Sequence, residues 1–181
     1  MQTENAVGLF VKAVAFAAEK HRNQRRKDAD ASPYINHPIT LANVLANEGG
    51  ISDISILCAA VLHDTIEDTN TTAAELEEIF GKKITSIVLE VTDDKELDKD
   101  VRKQKQIEHA PHISREAQLV KLADKISNLR DILSSPPADW PGERKQTYFE
   151  WASKVVSGVR GVHPGLEAVF DGLHTRRFEF L

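Results

Sequence analysis

Several features that define common protein classes are scarce or missing in this chain of 181 residues. Its one cysteine, Cys58, cannot form an internal disulfide, which argues against a disulfide-stabilised secreted fold. No apolar run reaches the roughly 18 residues that a transmembrane helix needs. The start of the chain lacks the basic segment of a secretory signal. We therefore expect a cytoplasmic protein that does not interact with membranes.

Basic residues are also in deficit, since 23 Lys and Arg stand against 28 Asp and Glu and give a formal net charge of −5. Proteins that bind nucleic acids usually carry a basic surface, and we therefore expect no nucleic-acid partner. The length suits one domain with one hydrophobic core. We expect a single domain over residues 1–181, with its core between about residues 7 and 170.

What the chain has in plenty is hydrophobic spacing of three and four residues, which is the period of an amphipathic helix. Val7, Phe10 and Val14 begin such a pattern and predict a helix over about 5–21. Similar spacing predicts a helix over 119–133, and no stretch shows the alternation that is typical of a strand. The chain is therefore predicted to fold as an all-α helical bundle.

Two further segments carry local predictions. Thr72 and Glu75 have the spacing of a capping box, which predicts a short helix that ends at Gly81. Segment 98–108 is charged and helix-prone but has few apolar residues, so we expect it to be exposed. A role for 98–108 as a lid over a site is a hypothesis.

The densest chemistry lies in six consecutive residues, His63 to Asp68, which hold one imidazole and three carboxylates directly after an apolar run. Packing these carboxylates together is unfavourable unless a cation offsets their repulsion, and imidazole and carboxylate are ligands of divalent cations. If the helix continues through this stretch, Glu67 lies one turn past His63 and Asp68 one turn past Asp64. The stretch predicts a metal site beside a carboxylate pair, as hydrolysis by an activated water requires.

Residues elsewhere in the chain extend this pattern. His37 precedes Pro38 at the start of a predicted helix, where a histidine on its own is more often a surface or capping residue. Asp124 and Asn128 lie one turn apart on the polar stripe of helix 119–133, and such a stripe usually faces water. The alternative is that both residues face an internal site together with His63.

The ordered set of His, His-Asp and Asp on a helical chain resembles the ligand pattern of HD-domain phosphohydrolases. The blocks around it resemble those of RelA/SpoT-type alarmone hydrolases, in particular the small, stand-alone branch typified by the metazoan SpoT homologue. The similarity extends from about Val7 to about Phe170. The blocks that carry it are Arg25-Arg26-Lys27, Pro33-Tyr34-Ile35-Asn36-His37-Pro38, His63-Asp64-Thr65-Ile66-Glu67-Asp68-Thr69, Val91-Thr92-Asp93-Asp94-Lys95 and Lys121 to Arg130.

This resemblance implies the roles of individual residues. The implied metal ligands are His37, His63, Asp64 and Asp124. The implied ion is Mn²⁺, although two imidazoles and two carboxylates do not exclude zinc or iron. The implied catalytic pair is Glu67 and Asp68. The implied substrate contacts are Arg26, Lys27 and Asn128, joined by Arg144 and Tyr148.

The resemblance also implies a reaction, which is removal of the 3′-pyrophosphate from ppGpp or pppGpp to give GDP or GTP. One alternative is an HD phosphohydrolase that acts on another nucleotide, for example on the 2′-phosphate of NADPH. A deoxynucleotidase fits less well, because the Arg-Arg-Lys and Tyr-Ile-Asn-His-Pro blocks are those of the alarmone group. A second alternative is a nucleotide-binding regulator without catalysis, and the intact pair Glu67 and Asp68 argues against it.

Overall fold

The computed structural model describes residues 5–180 of the chain. These residues form nine α-helices, a π-helical turn at Val44–Glu48 and a short 3₁₀ helix at Arg176–Phe180. The helices are α1 (Ala6–Lys20), α2 (Asn36–Asn43), α3 (Ile54–Leu62), α4 (Thr65–Asp68), α5 (Ala73–Val91), α6 (Lys99–His109), α7 (Arg115–Ser134), α8 (Gly142–Ser157) and α9 (Pro164–Thr175). Residues 5–180 contain no strand beyond one isolated bridge, so the all-α prediction is confirmed.

Helix α7 is the central element of the bundle, and it packs against α2, α3, α5, α8 and α9. Leu119, Leu122 and Leu129 on its apolar face are fully buried, as their spacing predicts. The opposite stripe is not on the surface, because Lys121 and Lys125 are also buried. The part of the polar stripe that holds Asp124 therefore faces the interior of the bundle, and the interpretation that it faces bulk water is wrong there; Asp131 at its far end is 41% exposed.

Helix α5 is divided in the way its sequence indicates. The Thr72 hydroxyl accepts a hydrogen bond from the Glu75 amide at 3.1 Å and caps the first turn. Gly81 then breaks the helical geometry with φ at +82°, a left-handed value that glycine adopts without steric cost. The first helical segment therefore ends at Gly81, as predicted, and a second segment follows the kink to complete α5.

The chain leaves helical geometry between α3 and α4, where Asp64 has φ −100° and ψ 0°. A continuous helix through His63 to Asp68, which the sequence allows, is therefore wrong. The last carbonyls of α3 accept hydrogen bonds from side chains instead of backbone amides. His63 Nδ1 lies 2.8 Å from the Ala60 oxygen, and the Thr65 hydroxyl donates to the Leu62 oxygen at 2.7 Å. His63 therefore belongs to the end of α3, whereas Glu67 belongs to α4.

Helix α6 covers the segment expected to be exposed, and it has no buried residue. It packs against α8, where the Trp151 indole donates a hydrogen bond to the Lys103 carbonyl at 3.1 Å. Its role as a lid stays a prediction. Within residues 5–180, no helix combines the length and the apolarity that crossing a membrane requires.

Candidate active site

Three potential metal ligands from three different helices meet at the centre of the bundle. His37 lies in the first turn of α2, His63 caps the end of α3, and Asp124 lies in the middle of α7. The two imidazole Nε2 atoms lie 3.2 Å and 4.0 Å from the same Asp124 oxygen, Oδ1. The ligand atoms of all three residues are within 4.8 Å of one another. Residues 87 positions apart in the sequence thus form one cluster.

The hydrogen bond that ends α3 also sets the tautomer of His63. Because its Nδ1 donates to the Ala60 carbonyl, its Nε2 carries the lone pair, and this lone pair faces the Asp64 Oδ2 atom at 2.8 Å. Burial lowers the pKa of His63, but the Asp64 and Asp124 carboxylates outweigh it and raise this pKa to about 9. A positive charge is therefore needed between the lone pairs of His63 Nε2 and Asp64 Oδ2, and either a proton or a metal ion can provide it.

The donor set fits a divalent cation. Imidazole nitrogen and carboxylate oxygen suit borderline and hard divalent ions, and the buried positions of His37 and His63 keep the donors out of bulk water. Asp64 lies beside the cluster, and the Tyr34 hydroxyl donates a hydrogen bond to its Oδ2 atom. Such an outer hydrogen bond holds a ligating carboxylate in one orientation.

A pair of carboxylates lies next to this cluster on α4, and its two members have different surroundings. Glu67 accepts one hydrogen bond, from the Asp93 amide at 3.0 Å, and its other oxygen is 3.9 Å from the nearest Arg102 nitrogen. Burial raises the pKa of Glu67 to about 7 against the effect of that amide. Asp68 accepts from Gln24 at 3.1 Å and also pairs with the Lys95 ammonium.

The cluster and the carboxylate pair open into a cleft with two lobes that share seven lining residues. The metal lobe is a cavity of about 410 Å³ that contains His63, Asp124 and Glu67. The outer lobe, of about 530 Å³, is lined in part by Trp140 and Tyr148. Their sizes fall in the range typical of small-molecule sites.

The metal lobe has a charge balance unlike that of the chain as a whole. Seven basic and five acidic residues line it, although the net charge of the protein is −5. Its basic residues are Arg26, Lys27, Lys99, Arg102, Lys103, Lys121 and Lys125. Such a lining attracts anionic ligands, phosphates above all.

Four of the five residues expected to contact substrate lie where the two lobes meet. Arg26, Lys27, Asn128 and Tyr148 each line both lobes. Arg144 lies apart from the lining, with its guanidinium 4.4 Å from the centre of the Trp140 ring. The structure thus brings Arg144 to the cleft only through an aromatic residue that itself lines the outer lobe.

Two of these residues already have partners within the protein. The Asn128 amide donates to Asp124 Oδ1 at 2.8 Å, so its direct neighbour is a candidate metal ligand. Arg26 forms an ion pair with Asp131, another residue of the outer lobe. An anion that binds to Arg26 therefore competes with the Asp131 carboxylate.

The site also includes residues that sequence reasoning missed. The Lys125 ammonium lies 2.9 Å from Asp124 Oδ2 and 4.3 Å from the centre of the Trp151 ring. Lys121 is buried as well, and its ammonium donates to the Val91 carbonyl at 3.3 Å. Helical periodicity contained a signal for both lysines, because they share one face of α7 with Asp124. Arg102 and Trp151 had no such signal.

Comparison with known proteins identifies the family. An HD-domain family model matches residues 13–153, which include the clustered residues His37, His63 and Asp124 and the carboxylate pair. The chain belongs to the HD-domain family. Within that family it is of the RelA/SpoT type, as curated relatives and a solved structure described as a SpoT ortholog show.

Two of these relatives are proteins named guanosine-3′,5′-bis(diphosphate) 3′-pyrophosphohydrolase MESH1. The protein from Xenopus tropicalis is 56% identical to this HD domain, over 90% of this chain and 91% of its own. The one from Homo sapiens is 53% identical, over 93% and 94% of the two chains. A solved structure described as a metazoan ortholog of SpoT that hydrolyzes ppGpp has 45% sequence identity and a TM-score of 0.91, and the match covers 93% of this chain and 95% of that one.

Proposed function

We propose that the protein is a metal-dependent hydrolase that removes the 3′-diphosphate of guanosine 3′,5′-bis(diphosphate), and that its residues form one catalytic domain. The observation that carries the proposal is the buried His37–His63–Asp124 cluster with Glu67 beside it, in a lobe lined by basic residues. A diphosphate needs both features, since its charge must be neutralised and a water must be activated. The names of the relatives support the choice of nucleotide.

We assign the ion to His37, His63, Asp64 and Asp124, and we propose Mn²⁺ as its identity. A divalent ion held there supplies Lewis-acid polarisation of the phosphoryl group and favours ionisation of water. The hydrogen bond from His63 Nδ1 to the Ala60 carbonyl leaves its Nε2 atom as the donor towards the ion, and the Tyr34 hydroxyl holds the Asp64 carboxylate in place. The Lys125 ammonium holds the second oxygen of Asp124, so that its Oδ1 stays directed towards the histidines.

The two carboxylates on α4 divide the proton chemistry between them. Glu67 has a pKa raised to about 7 and an oxygen without a close donor, so it is the member suited to accept a proton from water near neutral pH. Asp68 has donors on both oxygens and is suited to orient rather than to exchange protons. Water attacks the phosphorus bonded to O3′, the O3′–P bond breaks, and O3′ leaves as the hydroxyl of GDP while pyrophosphate keeps the oxygen of water.

Each lobe of the cleft holds a different part of the substrate. The 3′-diphosphate occupies the metal lobe, where Arg26 and Lys27 contribute positive charge at its border with the outer lobe. The nucleoside extends into the outer lobe, where Trp140 and Tyr148 offer aromatic surface for stacking. Asn128 contacts the nucleoside where the lobes meet, and Arg144 supports the stacking surface through Trp140.

The test is a substrate panel in the presence of Mn²⁺, with ppGpp, pppGpp and NADPH, and with separate detection of pyrophosphate and phosphate. We expect pyrophosphate from the first two substrates. Glu67→Gln combined with Asp68→Asn should retain Mn²⁺ and nucleotide binding by calorimetry but lose turnover. Phosphate release from NADPH alone, or normal turnover by the double variant, would refute the proposal.

A further inference from the structure

A buried histidine outside the metal cluster lies at the end of a hydrogen-bonded chain that reaches the carboxylate pair. His21 caps the end of α1 and is 2% exposed. Its Nδ1 lies 2.7 Å from Gln24 Oε1, and Gln24 Nε2 lies 3.1 Å from Asp68 Oδ2. His21 lines neither lobe of the cleft, and Gln24, which it contacts through a hydrogen bond, lines the outer lobe.

Asp68 fixes the donor and the acceptor of both hydrogen bonds that link it to Gln24 and His21. An ionised carboxylate accepts only, so the Gln24 amide must present its NH₂ group to Asp68 and its carbonyl oxygen to His21. His21 Nδ1 must then carry the proton. The other ring nitrogen, Nε2, is buried without a hydrogen-bond partner among residues 5–180 and carries the lone pair. Burial also lowers the pKa of His21, in agreement with a neutral ring.

Asp68 has little else to hold it in place. It ends α4, a helix of one turn, and its second oxygen pairs with Lys95, whose side chain is 50% exposed. Exposed lysine side chains change conformation readily and hold a partner weakly. The hydrogen bond from Gln24, oriented by a fully packed histidine, is therefore the contact that defines the position of the Asp68 carboxylate.

We infer that His21 and Gln24 are positioning residues, which form a hydrogen-bonded relay that begins at a buried ring and fixes the Asp68 carboxylate beside Glu67. The inference rests on the proposed function, because that function makes Asp68 a member of the catalytic pair. Small displacements of a catalytic group lower turnover strongly, and the loss of an outer hydrogen-bond partner typically costs about 10-fold to 100-fold. Loss of the relay should therefore lower kcat on that scale.

His21 also packs against the Tyr34 ring, with 4.8 Å between ring centroids, and a packing role must be separated from the relay. Two substitutions do this in opposite ways. His21→Phe keeps an aromatic ring but removes the donor, whereas His21→Asn removes the ring but places an amide N–H near the position of Nδ1. The relay predicts that His21→Asn is the more active variant, and packing alone predicts the reverse.

The kinetic experiment measures kcat and KM for ppGpp hydrolysis with Mn²⁺. We expect His21→Phe and Gln24→Leu to lose about 10-fold to 100-fold in kcat. For His21→Phe, KM should stay within about twofold, because His21 lines neither lobe. His21→Asn should recover most of the lost kcat. His174→Phe is the matched control, since His174 packs on Phe149 and Phe170 away from the site. Wild-type kcat in His21→Phe, or no recovery in His21→Asn, would overturn the relay.

A second measurement does not depend on turnover. Long-range ¹⁵N–¹H correlation spectra of the full chain, loaded with diamagnetic Mg²⁺, report which nitrogen of His21 carries the proton. We expect the Nδ1–H form at neutral pH in the wild type, and a change of its proton signal in Gln24→Leu. The Nε2–H form would overturn the relay. If the Nδ1–H form is found but ppGpp is not hydrolysed, the relay geometry holds while the proposed function fails.

Discussion

Replacing Lys125 by methionine should destabilise the metal-free protein and make it more dependent on the metal ion. The Lys125 side chain is 3% exposed, and its ammonium lies 2.9 Å from the Asp124 carboxylate, which is 15% exposed. Asp124 keeps a pKa well below its usual range because the charges of Lys125 and the two histidines outweigh its burial. The substitution therefore leaves a buried negative charge without its closest partner.

The expected cost follows from this burial. Removing one member of a buried ion pair costs about 3–5 kcal/mol, a large part of the roughly 5–15 kcal/mol by which a domain is stable. In a protein of this size that cost lowers Tm by about 6–20 °C. Mn²⁺ should restore part of the loss, because it supplies positive charge to the Asp124 carboxylate. The ion should also bind more tightly, because the Lys125 ammonium no longer repels it.

The assay is thermal unfolding, followed by circular dichroism, in chelator and then with increasing Mn²⁺. The difference in Tm between Lys125→Met and the wild type should be largest in chelator and should narrow as Mn²⁺ is added. Lys103→Met is the matched control, since Lys103 also lies over the Trp151 ring, at 5.2 Å, but makes no ion pair within residues 5–180. An equal difference in Tm at all Mn²⁺ concentrations would refute the reasoning.

Three further predictions concern stability and dynamics. The folded state raises the pKa of Glu67 from its ordinary 4.5 to about 7, so ionisation of Glu67 opposes folding and stability falls as pH rises from about 4.5 to 7. Glu67→Gln should therefore raise the urea midpoint of the metal-free protein, measured in chelator, at pH 8 and not at pH 4. No gain at pH 8 would contradict this. Trp151→Phe removes the hydrogen bond to the Lys103 carbonyl, so amide exchange should accelerate in α6 but not in α9, as mass spectrometry can show. Phe149→Ala empties a fully buried position and should cost about 3–5 kcal/mol in urea unfolding, with a cost below 1 kcal/mol counting against it.

Sequence patterns predicted the helices well because hydrophobic spacing reports which face of a helix is buried. The helix predicted over 5–21 and the helix predicted over 119–133 both follow that rule. Sequence spacing could not show that Asp124 meets His37, because 87 positions separate them and only the packing of α7 against α2 brings them together. For that pair, the resemblance to a family carried information that spacing did not.

The polar residues of α7 show most clearly where sequence reasoning ends. A stripe with Lys121 and Asp124 has the same pattern whether it faces water or a buried cleft, since periodicity gives the face but not its surroundings. Arg102 reaches towards Glu67 from a helix with no buried residue, so its surroundings resemble those of any exposed arginine in the sequence. Both cases depend on how helices pack, which local patterns do not contain.

The bend at Asp64 was equally invisible, because no glycine or proline marks it. It arises from the His63 and Thr65 side chains, which occupy carbonyls that an uninterrupted helix would use.

That bend has a consequence for anyone who wishes to transplant this chemistry. Copying the hexapeptide His63 to Asp68 onto an unbroken helix of another scaffold would place its first and fifth members on one line, whereas here the backbone changes course between them. Such a graft would bind an ion but would not hold the Glu67 carboxylate in its position beside that ion. The portable unit is the hexapeptide together with the two carbonyls that its own side chains cap.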